Sequence, residues 1–141
     1  MDQSEGTEWG CYGANVTGAV GTAIGTGAQN TDAIVSFECD GGSPAALAAT
    51  GYELSGYDDW FLPSKDELNL MYHNLADIDG DSSNSGPDDP NNVGGFASDF
   101  YWSSSEVDSF YASSQYFVDG YQSSTDYLKD LAFRVRAVRT F

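Results

Sequence analysis

The sequence predicts an α+β domain. Three observations carry that reading. Apolar positions of helical spacing follow a capping signature at Ser64, short strand-like runs bracket this and two lesser helical stretches, and 16 glycines leave little room for long regular elements. At 141 residues and 40% hydrophobic content, the chain is long enough for one domain with a real core, so residues 1–141 are read as a single domain.

Taken in order, Thr7 to Gly13 reads as a first short strand edged by glycines, with Trp9 as a core anchor. Asn15 to Gln29 is rich in Gly, Thr and Ala. Its four glycines, Gly18, Gly21, Gly25 and Gly27, disfavour a helix. No lysine stands where a phosphate-cradling loop needs one, so this stretch reads as an irregular packed loop. Asn30 or Thr31 is placed to cap a short helix over Asp32 to Cys39, with Ala33, Ile34 and Phe37 as its buried stripe. A second helix has Ser43 as cap, Pro44 at its first position, Ala45 to Ala49 propagating and Gly51 ending it. The third is the clearest. Ser64 and Glu67 form a capping box, and Leu68, Met71, Tyr72 and Leu75 fall on one face. His73, the lone histidine, points off that face and reads as an ordinary surface or boundary residue.

Asp77 to Asn92 is a polar, acidic stretch that looks inserted. Asp77, Asp79 and Asp81 have the alternate spacing that opens many calcium loops, although the glycine comes one place after the second Asp and no Glu occupies the twelfth position. A structural calcium is therefore one reading and a solvated acidic loop the other; no cofactor is required. Strands return at Phe100 to Ser105, Gln115 to Phe117 and Phe133 to Val138. In the last, Phe133, Val135 and Ala137 alternate with Arg134 and Arg136. Arg134, Arg136 and Arg139 are expected to pair with internal carboxylates such as Glu106 or Asp66.

The formal charge is −17, from 22 acidic and 5 basic residues. That argues against nucleic acid as a partner, and equally against sulfated polysaccharides and anionic membrane surfaces. No apolar run reaches the length of a membrane span, and Met1 to Glu5 lacks the basic start and apolar core of a signal peptide. Cys11 and Cys39 form either one disulfide, suited to an extracellular, virion-surface or cell-surface setting, or two buried thiols.

Function is most legible between Tyr101 and Phe141. Tyr101-Trp102-Ser103-Ser104-Ser105-Glu106 and Arg134-Val135-Arg136-Ala137-Val138-Arg139 frame a middle built of Ser, Asp and Tyr, the composition of a paratope. Ala112, Gln115, Phe117, Gly120, Gln122 and Lys129 interrupt that middle as isolated frame-like residues.

These two framing runs, with Glu8-Trp9-Gly10-Cys11-Tyr12-Gly13, Gly25-Thr26-Gly27, Asn30-Thr31, Asp59-Trp60-Phe61-Leu62-Pro63-Ser64-Lys65-Asp66-Glu67-Leu68 and Gly94-Gly95-Phe96, resemble the C-type-lectin-fold domain. That domain is found at the C-terminus of collagen-like bacterial adhesins and in the variable proteins of diversity-generating retroelements. The resemblance covers nearly the whole chain; the acidic insert departs from it. It implies two helices packed on small twisted antiparallel sheets, long loops, and paired N- and C-terminal strands. It also implies a display surface near the C-terminus, diversified by error-prone copying of adenines. Codons altered in that way never reach Glu, Gln, Lys, Met or Trp. The twenty non-frame positions, Val107, Asp108, Ser109, Phe110, Tyr111, Ser113, Ser114, Tyr116, Val118, Asp119, Tyr121, Ser123, Ser124, Thr125, Asp126, Tyr127, Leu128, Asp130, Leu131 and Ala132, contain none of those five types.

The expected role is binding a protein or other surface macromolecule of a host or target cell, without membrane insertion. Phe110, Tyr111, Tyr116, Tyr121 and Tyr127 are the expected aromatic anchors, and the aspartates bias the site towards basic partners. The alternative is an adhesin of fixed specificity for glycan or protein. Calcium-dependent lectins of this fold carry Glu-Pro-Asn or Gln-Pro-Asp with Trp-Asn-Asp, and neither motif occurs here. An enzyme is not expected: the fold's formylglycine-generating oxidases use a C-terminal cysteine pair, whereas Cys11 and Cys39 both lie in the first third.

Overall fold

The structure, a computed structural model, describes residues 1–140 as an α+β arrangement of one mixed sheet and three helices. In chain order the elements are β1 (Ser4–Thr7), α1 (Gly27–Phe37), α2 (Pro44–Thr50), α3 (Lys65–Met71), a π-helical turn over Tyr72–Ala76, β2 (Phe100–Glu106), β3 (Ala112–Tyr116), β4 (Gln122–Ser123) and β5 (Phe133–Val135). The sheet order is β1-β5-β2-β3-β4. The terminal strands pair antiparallel, Ser4 opposite Val135. The expected purely antiparallel sheet is corrected in one place. β5 lies parallel to β2, with Tyr101 opposite Arg134.

β2 is the central strand, and Tyr101 to Glu106 are all buried. Successive side chains of a strand point to opposite faces. Trp102 accordingly joins a core with Trp9, Ile34, Leu62 and Val135, while its neighbour Tyr101 joins a second with Leu68, Tyr72, Phe96 and Phe117. The sheet thus separates two apolar clusters, and each large side chain fully buried in them contributes about 1.5–3 kcal/mol.

The first strand is Ser4–Thr7 and shares only Thr7 with the predicted Thr7 to Gly13. Positive φ at Gly10 (88°), Cys11 (53°) and Gly13 (84°) then turns the chain directly after Trp9. A Cβ on Gly10 would stand 2.4 Å from the Gly42 carbonyl oxygen, so glycine is needed there for space as well as conformation. Cys11 and Cys39 are joined in a disulfide, Cα atoms 5.1 Å apart, which ties this turn to the end of α1.

Helix α1 begins five residues before the predicted start at Asp32. Neither Asn30 nor Thr31 caps it; both are buried inside it. The reason is tertiary. The Gly27 amide donates to Glu67 Oε1 of α3 at 2.8 Å, so the cap comes from another helix. The Asn30 amide brackets Gly21, accepting from its N–H and donating to its carbonyl, while Thr31 Oγ1 donates to the Leu62 carbonyl and accepts from the Leu62 N–H. In α3 the capping box of Ser64 and Glu67 is complete, and Leu68, Met71 and Tyr72 are buried. Leu75, expected on the same face, is instead 39% exposed, because the widened π-helical turn rotates it away.

The three C-terminal arginines are all paired internally, though not with Glu106 or Asp66. Arg134 meets Asp2 and Asp99, Arg136 meets Asp2, and Arg139 makes a two-pronged pair with Asp59. Asp2 also accepts from the Tyr101 hydroxyl at 2.8 Å, so the N-terminus is clamped to the centre of the sheet. Among the described residues, no helix is long and apolar enough to cross a membrane.

Candidate functional site

The region between β2 and β5 divides by side-chain environment. Each of the six isolated frame residues has a structural task. Ala112 is buried opposite Glu106, and Phe117 lies fully buried in the second core. Gln115, also buried, donates from Nε2 to Asn69 Oδ1 at 2.8 Å and to the Gly120 carbonyl at 3.0 Å. Gln122 donates to the Lys65 carbonyl, tying β4 to the start of α3. Gly120 has φ 82°, and a Cβ there would stand 2.6 Å from the Tyr72 ring. Lys129 is wholly buried. Its Nζ donates to Glu106 Oε2 at 2.9 Å and to the Ala14 carbonyl at 3.1 Å, and sits 4.7 Å from the centroid of a Trp9 ring. Glu106 in turn accepts from the Val16 amide. Backbone bonds at Lys129, to the Phe110 carbonyl and from the Trp9 amide, fix the outer segments on this buried ion pair. Burial lowers the Lys129 pKa against the opposing pull of Glu106.

The twenty non-frame positions differ. Ten are exposed, seven half-buried and three buried. The three buried ones correct the sequence reading. Ser113, Ser114 and Ser123 face inward, Ser113 against the Ser103 hydroxyl and Ser123 donating to Asp126, so none offers its hydroxyl to an outside ligand. The other seventeen lie in the β2–β3 and β3–β4 loops, at Tyr116 of β3 and in the segment from Ser124 to Ala132, and several are linked to one another by hydrogen bonds and bridges. Tyr111 bridges Leu128, and the Val107 and Asp108 amides donate to the Tyr111 carbonyl. The Tyr121 hydroxyl donates to Asp126 Oδ2 at 2.6 Å, and this bond holds the Tyr121 phenol above its ordinary pKa. Asp108 accepts from the Phe110 and Tyr111 amides, and Asp119 from the Tyr121 amide, so both also shape their turns.

Of the expected aromatic anchors, Phe110 and Tyr121 are the most exposed, at 44% and 52%. Tyr116 and Tyr127 are half-buried because Phe100 and Phe133, which sequence reading placed in strands but not at the site, stack with them. Tyr116 lies parallel to Phe100 at 4.5 Å, Phe100 parallel to Phe133 at 4.9 Å, and Tyr127 meets both edge-on. Tyr12, also unassigned, meets Phe110 edge-on at 5.3 Å and is itself half exposed. The signal for a site role of Phe100 and Phe133 was position, each at the end of a predicted strand and one residue outside a framing run.

The acidic insert is mostly exposed but anchored by a few buried residues. Asn84 and Asn92 are buried. Asn92 Nδ2 donates to Asn84 Oδ1 and to the carbonyls of Gly86 and Phe96, while Asn84 Nδ2 donates to the Phe117 carbonyl at 2.7 Å. Asp77 is buried, whereas Asp79 and Asp81 are exposed, and one carboxylate oxygen from each lies within 4.8 Å of the others. Desolvation, then the charges of Asp79 and Asp77, hold the Asp81 carboxyl above its usual range. His73 is exposed, its ring edge-on to Tyr72.

No protein-family model matches this chain, and no curated protein matches it.

Proposed function

We propose that this chain is a ligand-binding display protein with the C-type lectin fold, a variable protein of a diversity-generating retroelement. Its surface between Val107 and Ala132 grips a protein or other macromolecule on a host or target cell. One observation carries the reading. The frame residues Gln115, Phe117, Gly120 and Lys129 are held by cores and buried bonds, whereas seventeen of the twenty positions between them lie outside the core. Side chains that support no core can change at little cost in stability, usually within about 0.5 kcal/mol. A scaffold of that kind tolerates diversification.

Composition supports the same role. Half-exposed tyrosines give rigid contact area, and Ser109, Ser124 and Thr125 give adjustable hydrogen bonds. Asp108, Asp119, Asp126 and Asp130 are exposed and favour basic partners. The Cys11–Cys39 disulfide suits an extracellular, virion-surface or cell-surface location.

Sequencing the DNA around the coding region tests the origin of the surface. The expected finding is a near-copy of the 3′ repeat, differing only at adenines, beside a reverse transcriptase gene. A locus with neither rejects the retroelement reading and leaves an adhesin of fixed specificity. Binding is tested separately with a library recoded at the seventeen non-buried positions. New partners should be selectable from folded clones; clones that unfold would reject a display role.

A further inference from the structure

We propose that Asp77, Asp79 and Asp81 form a calcium site that stiffens the acidic insert and, through Asn84, the turn that follows β3. Spacing alone does not carry this. The second observation is the state of Asp77. It is 1% exposed, its Oδ2 accepts from the Ser82 amide at 3.1 Å, and its Oδ1 is buried with no hydrogen-bond partner. Buried carboxylates in folded proteins are paired, fully hydrogen-bonded, or bound to a metal. Among the described residues no Lys or Arg forms an ion pair with Asp77, Asp79 or Asp81. Asp79 and Asp81 each bring a carboxylate oxygen within 4.8 Å of one from Asp77. Three negative groups at that range repel one another unless a cation lies between them.

The donor set selects the ion. It is all oxygen, which suits a hard cation rather than zinc or copper. Alternate residues of an irregular loop supply the three carboxylates, and calcium accepts six to eight oxygens in flexible geometry, completing its shell with carbonyls and water. Magnesium demands a near-ideal octahedron and gives up water reluctantly.

The coupling follows from the bonds that leave the insert. The Asn84 amide donates to the Val118 carbonyl at 2.9 Å, and Asn84 Nδ2 to the Phe117 carbonyl. On its other side, the Asp77 amide donates to the carbonyl of Tyr72, whose ring packs beneath Gly120. An ion held at Asp77 therefore restrains both supports of the turn Val118-Asp119-Gly120. The ion site stands without the display reading; only the functional meaning of the coupling rests on that reading.

Calorimetric titration of the chelator-stripped chain with calcium chloride, at physiological sodium chloride, tests the site. One saturable site is expected, and Tm should rise with calcium concentration. The exposed-ligand variants Asp79→Asn and Asp81→Asn should fold and each bind calcium about tenfold or more weakly. The absence of saturable heat overturns the site, as do unchanged affinities in both variants; equal affinity for magnesium overturns the choice of ion. Hydrogen exchange tests the coupling. The Asn84 and Gly120 amides should exchange more slowly with calcium bound, and unchanged rates at saturation overturn the link to the turn. None of these measurements needs a partner, so their failure is distinct from failure of the display function.

Discussion

Lys129 shows how much one side chain sets in this molecule. It is one of two lysines in the chain, it lies among exposed residues, and it is wholly buried against Glu106. Removing one member of a buried ion pair leaves an uncompensated charge in the core, at about 3–5 kcal/mol. Lys129→Met should therefore lower unfolding free energy in urea by about that much, and adding Glu106→Gln should recover part of it. At the exposed positions Val107, Asp130 and Leu131, substitution to serine should stay within about 0.5 kcal/mol. Similar losses at Lys129 and at those three positions would remove the distinction between frame and surface. A pH effect is expected at Tyr72. Burial, followed by the charges of Asp77, Asp119 and Asp81, raises its phenol to about 12. A raised pKa means the stability it contributes is complete below the unfolded value of about 10 and is lost as pH climbs from there towards 12. With calcium removed by a chelator, Tyr72→Phe should lose less stability than the parent between about pH 10 and about pH 12. Tyr101, also raised by burial, keeps the loss from vanishing altogether. Equal losses in the two proteins would sink the assignment.

Among the elements, α3 was legible and the start of α1 was not, and Glu67 explains both. The capping box of α3 is local, three residues from Ser64 to Glu67, so the sequence displays it. The same Glu67 oxygen also accepts from Gly27, forty positions away, and no pattern around Gly27 advertises that. A Cβ at Gly27 would stand 2.3 Å from that oxygen, so a glycine that propensity counts against a helix is what lets α1 and α3 meet. Glu67→Ala should accordingly destabilise by about 2–3 kcal/mol, above the roughly 1 kcal/mol of a single lost cap. A loss equal to that of one cap would show that the Gly27 bond contributes nothing. The turn at Cys11 depends on a second cross-link. The disulfide closes a loop with a sequence separation of 28, and such a loop is worth about 3–4 kcal/mol through the unfolded chain. Cys11→Ser with Cys39→Ser should lower Tm markedly, and reductant should do the same to the parent but leave the double variant unchanged.

For the molecule as a whole, the sequence located β2 and the start of β5, met β1 and β3 only at their ends, missed the two-residue β4, and showed nothing of which neighbours the strands take. The parallel contact of β5 with β2 and the clamp of Asp2 on Arg134 and Arg136 join residues at opposite ends of the chain. An arginine's need for a carboxylate is visible in the sequence, while the choice of Asp2 over Glu106 is made by topology. Glu106 was already committed to Lys129, deep beneath the surface that the Tyr and Ser composition had pointed to. The same ion pairs set the response to salt. Four of the five basic residues are paired, with Asp2, Asp59, Asp99 and Glu106, which leaves eighteen of the 22 acidic side chains outside any ion pair among the described residues. Two effects then compete. Screening weakens exposed attractive pairs, of which only Arg139 with Asp59 has a largely open carboxylate apart from Asp99, and it weakens the repulsion among the many unpaired carboxylates. The buried Lys129–Glu106 pair is shielded from both. Repulsion involves far more groups, so sodium chloride should stabilise the fold. With calcium removed by a chelator, Tm should rise steadily between about 10 mM and about 0.5 M salt, as the screening length falls from about 30 Å to a few ångströms. A falling Tm would mean that the surface pairs outweigh the net charge of −17.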